Sequence, residues 1–348
     1  MKLNSIALIL GGVICALGGS AASGQNTSLP PGHAASHGII HDAGMIRVLI
    51  LDGQSGGAYH NWRLTTPVLK KELEETGLFS VTVVTAPSSD QDFSGFEPNL
   101  DHYQAIVMNY DAPDWPADLR ARFEKYVSNG GGLIIVHAAN NAFPNWPAYN
   151  EMIGIGGWRN RTQDAGPYWH VKDGKLVSDP SPGPAGQHGA RLPFQVKTQQ
   201  PEHPIMKGLP PVWMHYPDEL YGMLRGPGKN MTVLATAYSD PKNKGTGYDE
   251  PMLMVLHYGK GRVFHTVMGH DASALSCVGF MTTFQRGTEW AATGRVTQKI
   301  PATFPTAKTV SYRVDIQELD PDLLKGASNP VRLEAEPAAA SKAGVPQH

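Results

Sequence analysis

The stretch Gly130-Gly131-Gly132-Leu133-Ile134-Ile135-Val136-His137-Ala138-Ala139-Asn140-Asn141 decides the fold. A glycine turn feeds a short apolar run, and the run ends abruptly in a polar cluster headed by histidine. Such runs read as strands buried on both faces of a parallel sheet. Ligands of open α/β sheets bind just beyond the carboxyl ends of these strands. The pattern therefore places His137 at the chemical edge of a doubly wound sheet. A lone histidine at a strand end is more often satisfied by its neighbours than functional, so the weight falls on what accompanies it.

Upstream, residues 116–128 carry Leu119, Phe123 and Val127 at i, i+4 and i+8, an amphipathic helix leading into the glycine turn. Residues 46–51, closed by Asp52-Gly53, read as a first strand, and 79–85 and 103–110 as two more. A helix is expected from Thr65 or Thr66 to Glu75, with Pro67 in its first turn and Gly77 at its end. The order β-α-β-β-α-β calls for a mostly parallel sheet. Downstream, 193–196, 233–237, 252–258 and 262–267 read as strands, Glu219-Leu220-Tyr221 as a short extended piece, and 276–292 as a closing helix. Gly259-Lys260-Gly261 is a turn. Residues 150–200 show no period and are expected to form an inserted loop region. No internal repeat is present, which excludes solenoids and propellers.

The chain has 348 residues, 41% hydrophobic and 17% charged, the balance of a globular protein. A formal charge of −2 offers no basic footprint, so no nucleic-acid partner is expected. Residues 1–24 have the form of a signal peptide: Lys2, an apolar core at 6–17, and Ser20-Ala21-Ala22 for cleavage near Ala22. The core is too short for a comfortable span, so no stable membrane span remains after cleavage and a periplasmic or secreted location is expected. Cleavage there would leave Cys277 as the single cysteine, a buried filler rather than a nucleophile. Residues 25–44 read as a flexible leader, with His33, His37 and His41 in a solvated linker. The ordered domain is expected over 45–300, followed by an extension at 301–348 that is disordered from about 325.

Four polar clusters each follow an apolar run or a turn: Tyr59-His60-Asn61-Trp62, Asn109-Tyr110-Asp111, His137 to Asn141, and Gly269-His270-Asp271. In a parallel sheet the strand carboxyl ends share one edge, so the clusters can converge. His215-Tyr216-Pro217-Asp218-Glu219 adds two carboxylates and a histidine, unless it is a turn with surface acids. His137, His270 and Glu219 are the candidate catalytic residues. His60, Trp62, Asn109, Asn140, Asp218 and Asp271 are candidates for substrate binding, although Asp271 equally suits a helix cap. A zinc or similar divalent ion could be held by several of His60, His137, His270 and Glu219. Trp62, Trp115, Trp146, Trp158 and Trp169 fall in loops or at element edges, where they either stack on sugar faces or pack the loops. His203-Pro204-Ile205 reads as a rigid turn. Serine-elbow, phosphate-loop and His-Glu-x-x-His signatures are absent.

The set His60-Asn61-Trp62, Gly130 to Phe143, Asn150-Glu151-Met152-Ile153-Gly154, His203-Pro204-Ile205, Asp218 to Tyr221, Val233 to Ala237 and Tyr258 to Phe264 resembles the ThuA-like (trehalose utilisation) family over residues 46–293. The resemblance implies a flavodoxin-like or class I glutamine amidotransferase-like fold, a three-layer α/β sandwich with a mostly parallel sheet. It also implies bacterial sugar catabolism, often beside oxidoreductases that make 3-keto sugars. Amidotransferases place a cysteine nucleophile after the strand matching 133–136, and here His137 stands in that place. Glutaminase chemistry is therefore not expected, which leaves acid–base or metal-assisted chemistry. The expectation is a periplasmic protein that hydrolyses or isomerises a disaccharide or its 3-keto derivative, with a small carbohydrate as its partner. The alternatives are a non-catalytic sugar-binding module and a structural domain of a secreted assembly.

Overall fold

Eleven strands join in one sheet, and their order fixes where the strand ends meet. The computed structural model describes residues 44–54, 60–88, 90–112, 114–317 and 336–337. The expected signal peptide and leader lie outside the described residues, as does most of the expected disordered tail. In chain order the elements are β1 (Ile46–Asp52), α1 (Trp62–Glu74), β2 (Phe79–Thr85), β3 (Ala105–Met108), α2 (Ala117–Ser128), β4 (Gly132–Val136) and α3 (Pro147–Ile153). The hairpin strands β5 (Tyr168–Lys172) and β6 (Lys175–Asp179) follow, then β7 (Leu192–Thr198), β8 (Val212–Asp218) and β9 (Thr232–Tyr238). The fold closes with β10 (Asp249–Tyr258), β11 (Gly261–Thr266), α4 (Ala272–Leu275) and α5 (Val278–Thr293).

Strands β2-β1-β3-β4-β11 run parallel in the flavodoxin-like order. The β1→β2 and β3→β4 connections step in opposite directions along the sheet. Right-handed crossovers therefore put α1 and α2 on opposite faces, the three layers expected. Burial on both faces explains the unbroken apolar runs: Val48 to Leu51, Ala105 to Met108 and Leu133 to Ile135 are all fully buried. Gly132 is needed where α5 crosses β4, because a Cβ there would lie 2.7 Å from the Ala291 carbonyl oxygen.

Beyond β11 the sheet continues antiparallel through β10, β9, β7 and β8, with the β5–β6 hairpin attached to β10. The reversal follows from the Gly259-Lys260 turn, since a two-residue connection can only join antiparallel neighbours. The edge that gathers strand carboxyl ends therefore belongs to the parallel half.

Three readings change. Residues 150–200 hold α3, β5 and β6 rather than an unstructured insertion. Asp173 and Gly174 both take positive φ, 52° and 71°, which is the backbone of a tight hairpin turn. Helix α1 starts at Trp62, so Pro67 lies past its first turn. Finally, His215 to Asp218, left open above between a polar site and a surface turn, belongs to β8. There the pairing passes from Leu192↔Asp218 to Phe194↔His215, so β8 holds one residue more than β7 over this step. That bulge lets two residues three apart, His215 and Asp218, face the same way. Residues 301–317 pack onto this unit: Val310 and Ile316 are buried, and the Thr306 carbonyl accepts the Met214 N–H at 2.8 Å.

Candidate active site at the sheet edge

His137 leaves β4 with φ 44°, a left-handed conformation that a β-carbon disfavours. Backbone strain of this kind clusters at active sites and ligand clamps. The turn resembles the elbow that presents a nucleophile in other α/β enzymes, here with an imidazole at its tip. His137 is 2% exposed, and its Nδ1 lies 2.7 Å from the Val267 carbonyl oxygen. A carbonyl only accepts, so Nδ1 carries a proton toward it and Nε2 is the nitrogen that faces the cluster.

Three further segments bring their side chains to the same point. His60 follows β1, His270 follows β11, and Glu219 follows β8. One ligand-type atom from each of His60, His137, Glu219 and His270 lies within 4.8 Å of all the others. The His60 ring sits 5.2 Å from that of His137 and 4.9 Å from that of His270, both edge-on. Glu219 Oε2 is 3.1 Å from His270 Nδ1 and 3.8 Å from His137 Nε2. Its other oxygen is 3.7 Å from Nε2 of His188, an exposed residue. Tyr221 packs its ring 4.1 Å from His137 and brings its hydroxyl 3.2 Å from His60 Nε2, while Trp158 packs on Tyr221 at 4.3 Å.

Burial opposes ionisation of Glu219, yet His137 and His270 beside it outweigh burial and hold the carboxyl well below its usual range. Burial likewise opposes charge on His270, and the Glu219 carboxylate more than reverses this, so its pKa is raised. The pair thus favours a carboxylate next to an imidazolium.

Asp218 is 1% exposed and works one layer behind. It accepts from His215 Nε2 at 2.9 Å, the Glu219 N–H at 2.8 Å, the Gly269 N–H at 2.7 Å and the His270 N–H at 3.2 Å. One carboxylate therefore fixes the backbone of both Glu219 and His270. Burial would raise its pKa, but these donors and the His215 charge bring it down to about 2. Gly269, at φ 112°, supplies a turn that other residues resist.

The remaining candidates take different parts. Asp218 is a backbone clamp, with no surface for a substrate. Asn140 is fully buried and lies with its Nδ2 3.1 Å from His265 Nε2. Asn109 spends both amide protons on Thr65 and Thr66, joining β3 to α1. Asp271 caps α4 through the Ala274 N–H at 2.9 Å and pairs with Arg191. Trp62 opens α1 beneath Arg63 and lines a groove with Asp52, Thr66, Pro67, Lys70 and Val83, which includes none of the clustered histidines. Trp115 and Trp146 pack into an aromatic core with Phe123, Phe143 and Tyr149. His188 and Tyr221 border the cluster with Trp158, one of the loop tryptophans weighed for sugar stacking, although the sequence does not single out His188 or Tyr221 as site residues. No regular pattern surrounds His188, and only the density of aromatic and histidine residues in loops hints at them.

A family profile described as ThuA, trehalose utilisation, matches residues 47–291. A ThuA-like protein of Parabacteroides merdae is 45% identical, with a TM-score of 0.75 over 78% of this chain and 99% of its own. A ThuA-like protein of Bacteroides uniformis is 22% identical, with a TM-score of 0.50 over 72% of this chain and 93% of its own, a likeness of fold. Comparison with the curated proteins gives no match.

Proposed function

The chain belongs to the ThuA trehalose-utilisation family, and from that premise we propose that it is an exported enzyme acting on a disaccharide or its 3-keto derivative. The observation that carries this reading is the convergence of His60, His137, His270 and Glu219 beyond the carboxyl ends of the parallel strands. A keto group acidifies the neighbouring C–H. A base that removes this proton allows the glycosidic oxygen to leave, or allows the carbonyl to migrate. The cluster offers the Nε2 of His137, an ionised Glu219 and a charge-favouring His270. Export rests on residues 1–24 and predicts a mature chain that begins between Ala22 and Gln25, read by N-terminal sequencing.

The test is incubation of the purified protein with unmodified and 3-keto disaccharides. Turnover of the keto substrate is expected. His137→Ala and His270→Ala should each reduce it by roughly a hundred- to ten-thousand-fold while the fold persists. Saturable sugar binding without turnover by the unaltered protein would instead make it a binding module.

A further inference from the structure

We propose that His60, His137, His270 and Glu219 form a site for one divalent transition-metal ion of the zinc class. The site deepens the reading above, although ion binding itself stands apart from any activity on sugars.

Four observations support it. The candidate ligand atoms already lie within 4.8 Å of one another. Donors around a four-coordinate zinc stand ~3.4 Å apart, so each would move inward by less than about 1 Å. The second is the tautomer of His137. Its Nδ1 proton is committed to the Val267 carbonyl, and a histidine that ligates through one nitrogen commonly donates the other N–H in this way. Third, His137 Nε2 is buried without a hydrogen-bond partner, with Glu219 Oε2 3.8 Å away. Leaving such a nitrogen unsatisfied is costly, and a cation there would satisfy it. Fourth, three imidazole rings crowd edge-on at 4.9 to 5.4 Å, which gathers their nitrogens at one point.

The donor set names the ion class. Three imidazoles and one carboxylate suit zinc and its first-row neighbours, whereas calcium and magnesium take oxygen ligands. When bound, such an ion lowers the pKa of a hydroxyl or water that it holds. His188, on the exposed side of Glu219, is the imidazole left outside the ligand set.

The full-length protein should be stripped with chelator and titrated with Zn²⁺ by calorimetry, with metal content read by mass spectrometry. One equivalent should bind at roughly micromolar affinity or tighter, unaffected by millimolar Ca²⁺ or Mg²⁺. His137→Asn, which tolerates the left-handed backbone, should weaken binding at least a hundredfold. Glu219→Gln lies at the more open side and should do so even if the first variant folds poorly. Changing His33, His37 and His41 to Ala should leave the affinity intact. No saturable binding, equal affinity in both site variants, or loss of affinity in the leader variant would overturn the proposal. Tight binding without turnover of any disaccharide would leave the ion site standing and remove the enzymatic reading. Turnover that survives complete chelation, with no Zn²⁺ uptake, would do the reverse.

Discussion

The Asp218 carboxylate accepts the backbone N–H of Gly269 at 2.7 Å, joining β8 at the far end of the antiparallel strands to the turn after β11. The same side chain holds the Glu219 and His270 N–H groups and His215. Asp218→Asn keeps the shape but turns an amide donor toward some of these donors. It should cost about 3 kcal/mol in denaturant unfolding and weaken Zn²⁺ affinity roughly tenfold or more. Wild-type stability and affinity together would refute the clamp.

Cys277 is fully buried at the start of α5, against His215. Burial raises its thiol pKa and the His215 charge lowers it, with the second prevailing. Despite that, it has no path to solvent. Cys277→Ser should keep turnover and cost about 1 kcal/mol or less. Native protein should resist thiol reagents until it unfolds, and rapid labelling with loss of activity would contradict this.

His265 is fixed in its neutral form. Nδ1 lies 2.9 Å from the Ile153 carbonyl, which leaves Nε2 to accept from the Asn140 amide at 3.1 Å. Burial pushes its pKa down to about 4. A depressed folded pKa means that the stabilisation is present above the unfolded value, about 6.5, and is lost as pH falls through 4. Denaturation at pH 7 and pH 4.5 should show wild type losing on the order of 2–3 kcal/mol more than His265→Gln. Parallel losses would rule the group out.

Glu250 gives the opposite slope. Fully buried, it receives the Thr246 hydroxyl at 2.6 Å and the Tyr168 hydroxyl, and burial pushes its pKa up to about 7. A raised folded pKa means stabilisation that is complete below about 4.5 and lost as pH rises through 7. Glu250→Gln keeps the acceptor without the proton, so it should gain on wild type between pH 5 and pH 8. Melting curves across that range decide the point, and a constant difference would count against it.

What the sequence discloses follows from where alternation and periodicity survive. The run 133–136 is buried on both faces, so its apolar continuity is visible, and with it the position of His137. Leu119, Phe123 and Val127 likewise sit on the buried side of α2 as their spacing requires. The Asp173-Gly174 hairpin carries a signal too, since Val171 and Val177 flank a turn pair of known type, but the surrounding Pro and Gly obscure it. β8 is not legible. Its alternation breaks at the bulge, and Pro217 beside two acids looks like a surface turn. Nor can composition separate Glu219 from Asn140 or Asn109. A polar residue after a strand looks alike in sequence whether it meets a ligand or, like Asn140, closes a hydrogen bond inside the protein.

In a pleated strand, which face a side chain meets is a matter of odd and even. The extra residue in β8 changes that parity between His215 and Asp218. Were these residues paired as a regular strand without the bulge, Asp218, three residues on from His215, would face the opposite side. The N–H groups of Gly269 and His270 would then lose their acceptor, and Glu219 would follow the wrong side of the sheet. A single bulged step in the pairing therefore sets the phase on which the whole cluster depends.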